Sequence, residues 1–286
     1  MSYNTILLSA FILLFAVYAP VLGNEEAQLI ESIGKGSVNW SKGFIRATGI
    51  GAPPDWAYGK PQARPLALTK ARMVAYRNLL KVAQSIRVDT AITIKETIDK
   101  DTEVAAQFDS MIRGAEVIRE EYRLNGTVEV TVQMSMTGGF AQLILPGDIL
   151  HVESVKTIRS ASKTAGSGSK SKPDFFTGLV VDARGLAIQP VIALKILNEN
   201  GKEVYGPAYV SREHAVQQGM CGYFTNIQRA IDEKRVGKKP LVVKGIKTQG
   251  LENSYIIISN DDAAILKSTP ANLSFLRKCF VAVIVD

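Results

Sequence analysis

The stretch Asn125-Gly126-Thr127-Val128-Glu129-Val130-Thr131-Val132-Gln133-Met134-Ser135-Met136 carries the clearest structural signal in the chain. Val128, Val130, Val132, Met134 and Met136 alternate with polar neighbours, so a strand here has one apolar face and one wet face. Asn125-Gly126 reads as a type I′ hairpin turn, because that turn needs positive φ at both central positions. A sheet with one buried face follows, and an apolar layer must cover it.

The cover lies upstream. Leu68, Ala71, Ala75, Leu79, Val82 and Ile86 recur at three- and four-residue steps and predict a helix with one buried stripe. Before it, Phe44 to Gly49 reads as a strand, joined to the helix by the Pro- and Gly-rich connection from Gly51 to Pro65. After it, Val88, Thr90, Ile92 and Ile94 alternate with their neighbours and predict a further strand. A shorter helix starts near Asp101 or Thr102, either of which can cap it, and buries Val104, Phe108, Met111 and Ile112. The first module, residues 37–148, thus reads β-α-β-α-β-β, an α+β unit with helices on one face of a small mixed or antiparallel sheet.

Residues 149–173 lose periodicity and fill with Ser, Lys, Gly and Ala, the composition of a flexible linker. A second α+β module, residues 174–286, opens with the strand Thr177 to Arg184. A hairpin follows in which Ile192, Leu194 and Ile196 face inward and Asn200-Gly201 turns. Leu241-Val242-Val243 and Tyr255 to Ile258 add strands, and Ser211 and Asn260-Asp261-Asp262 mark helix starts. Phe280 to Val285 is continuously apolar, as a central strand covered on both faces must be. No repeat links the two modules.

Ahead of both, Thr5 to Gly23 is uncharged and strongly apolar, and Glu25-Glu26 follows at once. Its core from Ile6 to Val17, the helix breaker Pro20, and small residues at Val21 and Gly23 fit a secretory signal over residues 1–23, cleaved between Gly23 and Asn24. No Lys or Arg precedes Thr5, and the run approaches the length of a membrane span, so a retained N-terminal anchor is the competing reading. Either way the rest of the chain lies outside the cytoplasm. No cysteine ends the apolar run, which excludes a lipid anchor there.

The net charge of +7 falls wholly beyond residue 23. Outside the cytoplasm, a basic balance argues for anionic lipid or acidic polymers and against nucleic acid. Lys156, Arg159, Lys163, Lys170 and Lys172 decorate the linker. Lys70, Arg77 and Lys81, with Gln84, share a face of the long helix, which is either a solvent face or a docking surface for an acidic partner. Cys221 and Cys279 are a candidate disulfide, since bridges persist in oxidising compartments. Spacing alone does not fix the pairing, so two free thiols stand beside it as the alternative.

No catalytic constellation emerges. His151 borders the linker and His214 opens a polar helix, and neither accompanies a G-x-S-x-G elbow. Two cysteines and two histidines at unrelated spacings predict no metal centre. Gly49-Ile50-Gly51-Ala52-Pro53-Pro54 begins like a dinucleotide fingerprint and fails at the third glycine, so no cofactor is expected. Among carboxylates, Glu120-Glu121 point to opposite faces of a strand and Asp261-Asp262 suit a helix start. Asp182 with Arg184 reads as a salt bridge at a strand end, or as half of a glycan-hydrolysing pair.

The segments Ala71 to Leu80, Arg87-Val88-Asp89, Gly114-Ala115 and Asn125 to Val130 resemble the N-terminal domain shared by a bacterial envelope lipoprotein family and FlgT-type flagellar assembly proteins. Thr177 to Leu186, Gly201 to Gly206 and Ile258 to Ala263 resemble blocks in exported Gram-negative proteins of unknown function. The resemblance implies a non-enzymatic periplasmic or outer-membrane-associated accessory protein. It would act with an envelope protein partner, as FlgT-type proteins do in building the ring around the flagellar basal body. The alternative is an exported glycan-binding or glycan-hydrolysing protein.

Overall fold

The structure is a computed structural model that describes residues 28–149, 175–250 and 253–286. It is a mixed α and β architecture in two modules, each built on its own sheets. The expected signal cleavage at Gly23 and Asn24, His151 and the linker lysines lie outside the described residues.

In the first module β1 (Ile30–Ile33), β2 (Gly36–Asn39), β3 (Phe44–Gly51), β4 (Glu116–Tyr122) and β5 (Val128–Ser135) form an antiparallel sheet in the order β1-β2-β3-β5-β4. Val128, Val130, Val132 and Met134 of β5 are buried and their neighbours are not, as the alternation predicts. The sheet also takes in β1, ahead of residue 37, where the sequence reading opens the module. Four residues with one apolar pair carry too little pattern to announce a strand.

The long helix α1 (Ala63–Ser85) crosses the buried face on a stripe of Ala67, Ala71, Ala75, Leu79, Val82 and Ala83. Its closeness to β3 explains two glycines. A Cβ at Gly49 would lie 2.2 Å from the Ala75 nitrogen, and one at Gly51 would lie 2.2 Å from the Ala67 carbonyl oxygen. The Gly49-Ile50-Gly51 run is therefore a contact of strand backbone with helix backbone, and alanines on the helix complete it.

Two local expectations fail for physical reasons. Val88 to Ile94 is no strand; Arg87 and Thr93 make one isolated bridge. The Asp89 carboxylate accepts from the Ala91 and Ile92 amides, curling the chain, and Thr93 with Glu96 forms a capping box that starts α2 (Ile94–Ile98). The Asn125-Gly126 turn is not type I′ either, since Gly126 has φ 79° but Asn125 is not among the positive-φ residues. Gly126 N–H closes a turn on the Arg123 carbonyl, and Arg123 pairs with Thr127 across a three-residue loop, the form that ends in a left-handed glycine. Asn200-Gly201 repeats it, with Gly201 bonded to Asn198 and Asn198 paired with Lys202. α3 (Thr102–Arg113) begins as expected, capped by Asp101, and buries Phe108 and Ile112.

Among the described residues the second module holds two sheets. In the first, β6 (Leu179–Asp182), β9 (Gly222–Phe224), β10 (Leu241–Lys244) and β13 (Val281–Ile284) are parallel, ordered β10-β6-β13-β9. β13 is buried throughout and flanked on both sides. Its residues part by parity. Val180, Phe224, Ala282 and Ile284 meet α6 (Ile227–Asp232), while Leu179, Val181, Tyr223, Val281 and Val283 join a larger cluster. The second sheet, β11 (Lys247–Gln249), β12 (Tyr255–Ile258), β7 (Lys195–Asn198) and β8 (Glu203–Tyr205), is mixed, and α7 (Asn260–Lys267) and α8 (Pro270–Arg277) follow it.

The larger cluster does not stop at the module boundary; it runs on into Val38, Trp40, Ala71 and Val130. Ile149, placed in the linker by composition, is buried in it.

Candidate functional site

The seam between the modules holds a set of specific polar contacts. Arg212, the first residue of α5 (Arg212–Gln218), is only 8% exposed. Its guanidinium donates to the Pro146 carbonyl at 2.9 Å and to the Gln142 carbonyl at 2.7 Å, beside the C-terminus of α4 (Gly139–Ile144). The Gln142 carbonyl, in the last turn of α4, belongs to the negative end of the helix dipole, so a buried cation is satisfied there. Backbone bonds continue the seam: Ile192 N–H to Arg87, Ala193 N–H to Val88, and Gly138 N–H to Val216. Ser41 Oγ donates to the Tyr223 carbonyl at 2.7 Å, and Trp40 meets the Tyr223 ring edge-on at 5.7 Å.

A cleft of about 190 Å³ opens on this seam between Gln28, Ser41 and Lys42 on one side and Phe224, Arg229, Asp232 and Glu233 on the other. That is below the ~300–1,000 Å³ of ordinary small-molecule sites. With two cations and two carboxylates around it, the cleft suits a few waters or a small polar group.

Cys221 directly precedes β9, and Cys279 lies two residues before β13. Both are free thiols, each facing a different tyrosine hydroxyl: Cys279 faces Tyr205 and Cys221 faces Tyr223. Burial pushes the Cys221 thiol up to about 11 and the Cys279 thiol up to about 12. Both stay protonated at neutral pH and lack the thiolate that nucleophilic or metal-binding work requires. Tyr205 O–H donates to the Met220 carbonyl, and Tyr223 O–H donates to the Val191 carbonyl at 3.0 Å.

A third group surrounds Glu203. Burial raises its carboxyl above the ordinary range and lowers the Lys267 amine, the directions that acid–base chemistry uses. The geometry commits Lys267 elsewhere, because its Nζ donates to the Glu203 backbone carbonyl at 3.0 Å, and Tyr209 O–H donates to the same oxygen at 3.1 Å.

The other residues singled out in the sequence are not brought together. Asp182 is held by Arg184 in a two-pronged pair at 2.8 and 2.6 Å, which lowers its carboxyl below the usual range. Glu120 pairs with Arg72 and Glu121 with Arg119. Asp262 follows the true N-cap of α7, Ser259, whose Oγ accepts from its amide. His214 turns a buried Nδ1 inward without a hydrogen bond. Lys70, Arg77 and Lys81 are exposed on the side of α1 turned away from the sheet. Among the described residues no His, Cys, Asp and Glu group could hold a metal, and no helix is long and apolar enough to cross a membrane. Sequence reasoning missed Arg212, Ser41 and Trp40, whose partners are distant in the chain and leave no local pattern.

A family model for the second domain of Treponema pallidum Tp0624 matches residues 178–286. The matched stretch opens one residue before β6 and takes in the whole parallel sheet and its mixed companion. No curated protein matches the chain.

Proposed function

We propose that the protein is a non-enzymatic accessory or scaffolding component of the bacterial envelope, exported to the periplasm, associated with the outer membrane and engaged in an assembly of the flagellar kind. The seam is the observation that carries this reading. Two modules joined through a common core and a buried arginine hold their outer surfaces at one spacing, which a scaffold needs and a flexible tandem lacks. The tuned groups support it further, since the thiols are protonated, Lys267 is committed to a carbonyl, and Asp182 is tied to Arg184. Glycan hydrolysis through Asp182 has less support, because a general acid needs a raised carboxyl and this one is lowered.

The test is in-cell crosslinking followed by mild extraction of the envelope fraction. Co-purification with a defined envelope protein is expected. Recovery of the protein alone, or wall-fragment release that disappears in Asp182→Asn, would overturn the reading.

A further inference from the structure

One end of the first module displays apolar side chains that the fold could have covered. The connection from β3 to α1 is pinned by buried Pro53 and Ala57, and this holds Trp56 and Tyr58 outward, Trp56 at 60% exposure. Against it sits the β4–β5 turn: a Cβ on Gly126 would be 3.8 Å from the Tyr58 ring and 3.9 Å from Pro53. The turn carries Leu124, fully exposed, and Tyr122 stands beside it, about half exposed. Trp56, Tyr58, Tyr122 and Leu124 therefore share one end of the sheet.

Cations stand among them. Lys60 Nζ lies 5.7 Å from the centre of the Trp56 ring and Arg64 Cζ 6.0 Å from that of Tyr122. Residues 53–64 and 122–127 carry Lys60, Arg64 and Arg123 against the one carboxylate Asp55; of the carboxylates next to this end, Glu129 engages Arg123 and Glu121 pairs with Arg119. Amphipathic rings, a bare aliphatic side chain at a turn tip and uncommitted cations are the combination that seats at a headgroup layer. The rings lie at the boundary, the leucine enters the acyl region and the cations meet lipid phosphates. A soluble polyanion would use the cations and leave Leu124 in water.

We propose that this end of the first module is a contact surface for an anionic lipid bilayer. The register Ile30 to Asn39 to Phe44 puts the start of β1 at the opposite end of the sheet from Gly51, where Trp56 follows. The inference does not rest on the scaffold reading, and failure of partner capture leaves it intact.

Trp56 reports directly, because the other tryptophan, Trp40, is buried. The full-length protein is titrated with phosphatidylglycerol/phosphatidylcholine vesicles carrying a lipid-borne quencher, and the Trp56→Phe signal is subtracted so that only the emission of Trp56 registers. Blue-shifted, quenched Trp56 emission is expected on anionic vesicles. Raising salt well above physiological levels should weaken it, and Lys60→Glu should weaken it about tenfold. Leu124→Asp should reduce the blue shift without changing the thermal melt. Unchanged emission on anionic vesicles, an equal response on phosphatidylcholine alone, or insensitivity to both Lys60→Glu and Leu124→Asp would overturn the proposal.

Discussion

The seam and the free end of the first module use the same side-chain chemistry to opposite ends. Each has one tryptophan, tyrosine rings and arginine. At the seam Trp40 is 7% exposed, donates Nε1–H to Glu31 and abuts Tyr223, and Arg212 spends its guanidinium on carbonyls. At the free end Trp56 is 60% exposed with a lysine over its ring. What separates them is whether each polar atom finds a partner within the fold, since burial is tolerated only where it does.

That contrast ranks the substitutions. Trp40→Ala should be the most damaging, lowering unfolding free energy by about 3–5 kcal/mol in denaturant titration, because it empties a packed site shared by both modules. Next comes Arg212→Ala, expected to cost about 3 kcal/mol since it strips the Gln142 carbonyl of its donor and empties a buried site on the seam, and to separate the unfolding of the modules. If it leaves the melt unchanged, the seam is not held as described. Ser41→Ala removes a hydroxyl that donates to Tyr223 and accepts from the Leu29 amide, for an expected loss of about 1 kcal/mol. Trp56→Ala should fall within about 0.5 kcal/mol of the parent, and a larger loss would mean that the free end is structural.

Titration sharpens the same contrast. Asp182 has a folded value below the ordinary one, so its pairing with Arg184 stabilises the fold above about pH 4 and is lost as pH falls through the lowered value. Glu203 runs the other way. Its raised value means that ionisation opposes folding, so stability is full below about pH 4.3 and declines as pH rises through the raised value. Glu203→Gln should therefore gain stability relative to the parent at pH 7 and show little difference at pH 4, read from denaturant midpoints. A thiol reagent at pH 7 should find Cys221 and Cys279 unreactive until the protein is unfolded, when two thiols should appear.

Where pattern is local and repeated, the chain was legible before its structure. Alternation in Val128 to Met134, the alanine-rich stripe of α1, the Asp101 cap and the apolar run of β13 each follow from neighbours in sequence. The misses have separate causes. At Val88 to Ile94 side chains capture backbone amides and override the alternation. At Asn125 the loop has three residues rather than two, because only Gly126 adopts positive φ. The seam joins residues far apart, Ser41 to Tyr223 and Arg212 to Gln142, and one chain without a partner pattern cannot announce such pairs. Exposure at Trp56 was equally hidden, since Trp40 is the same residue type with the opposite fate.

The central claim is that the two modules act as one body, and calorimetric unfolding of the protein tests it most directly. One transition whose calorimetric and van't Hoff enthalpies agree is expected, with Arg212→Ala splitting it in two. Two resolved transitions in the unsubstituted protein would contradict the claim and return the modules to a flexible tandem.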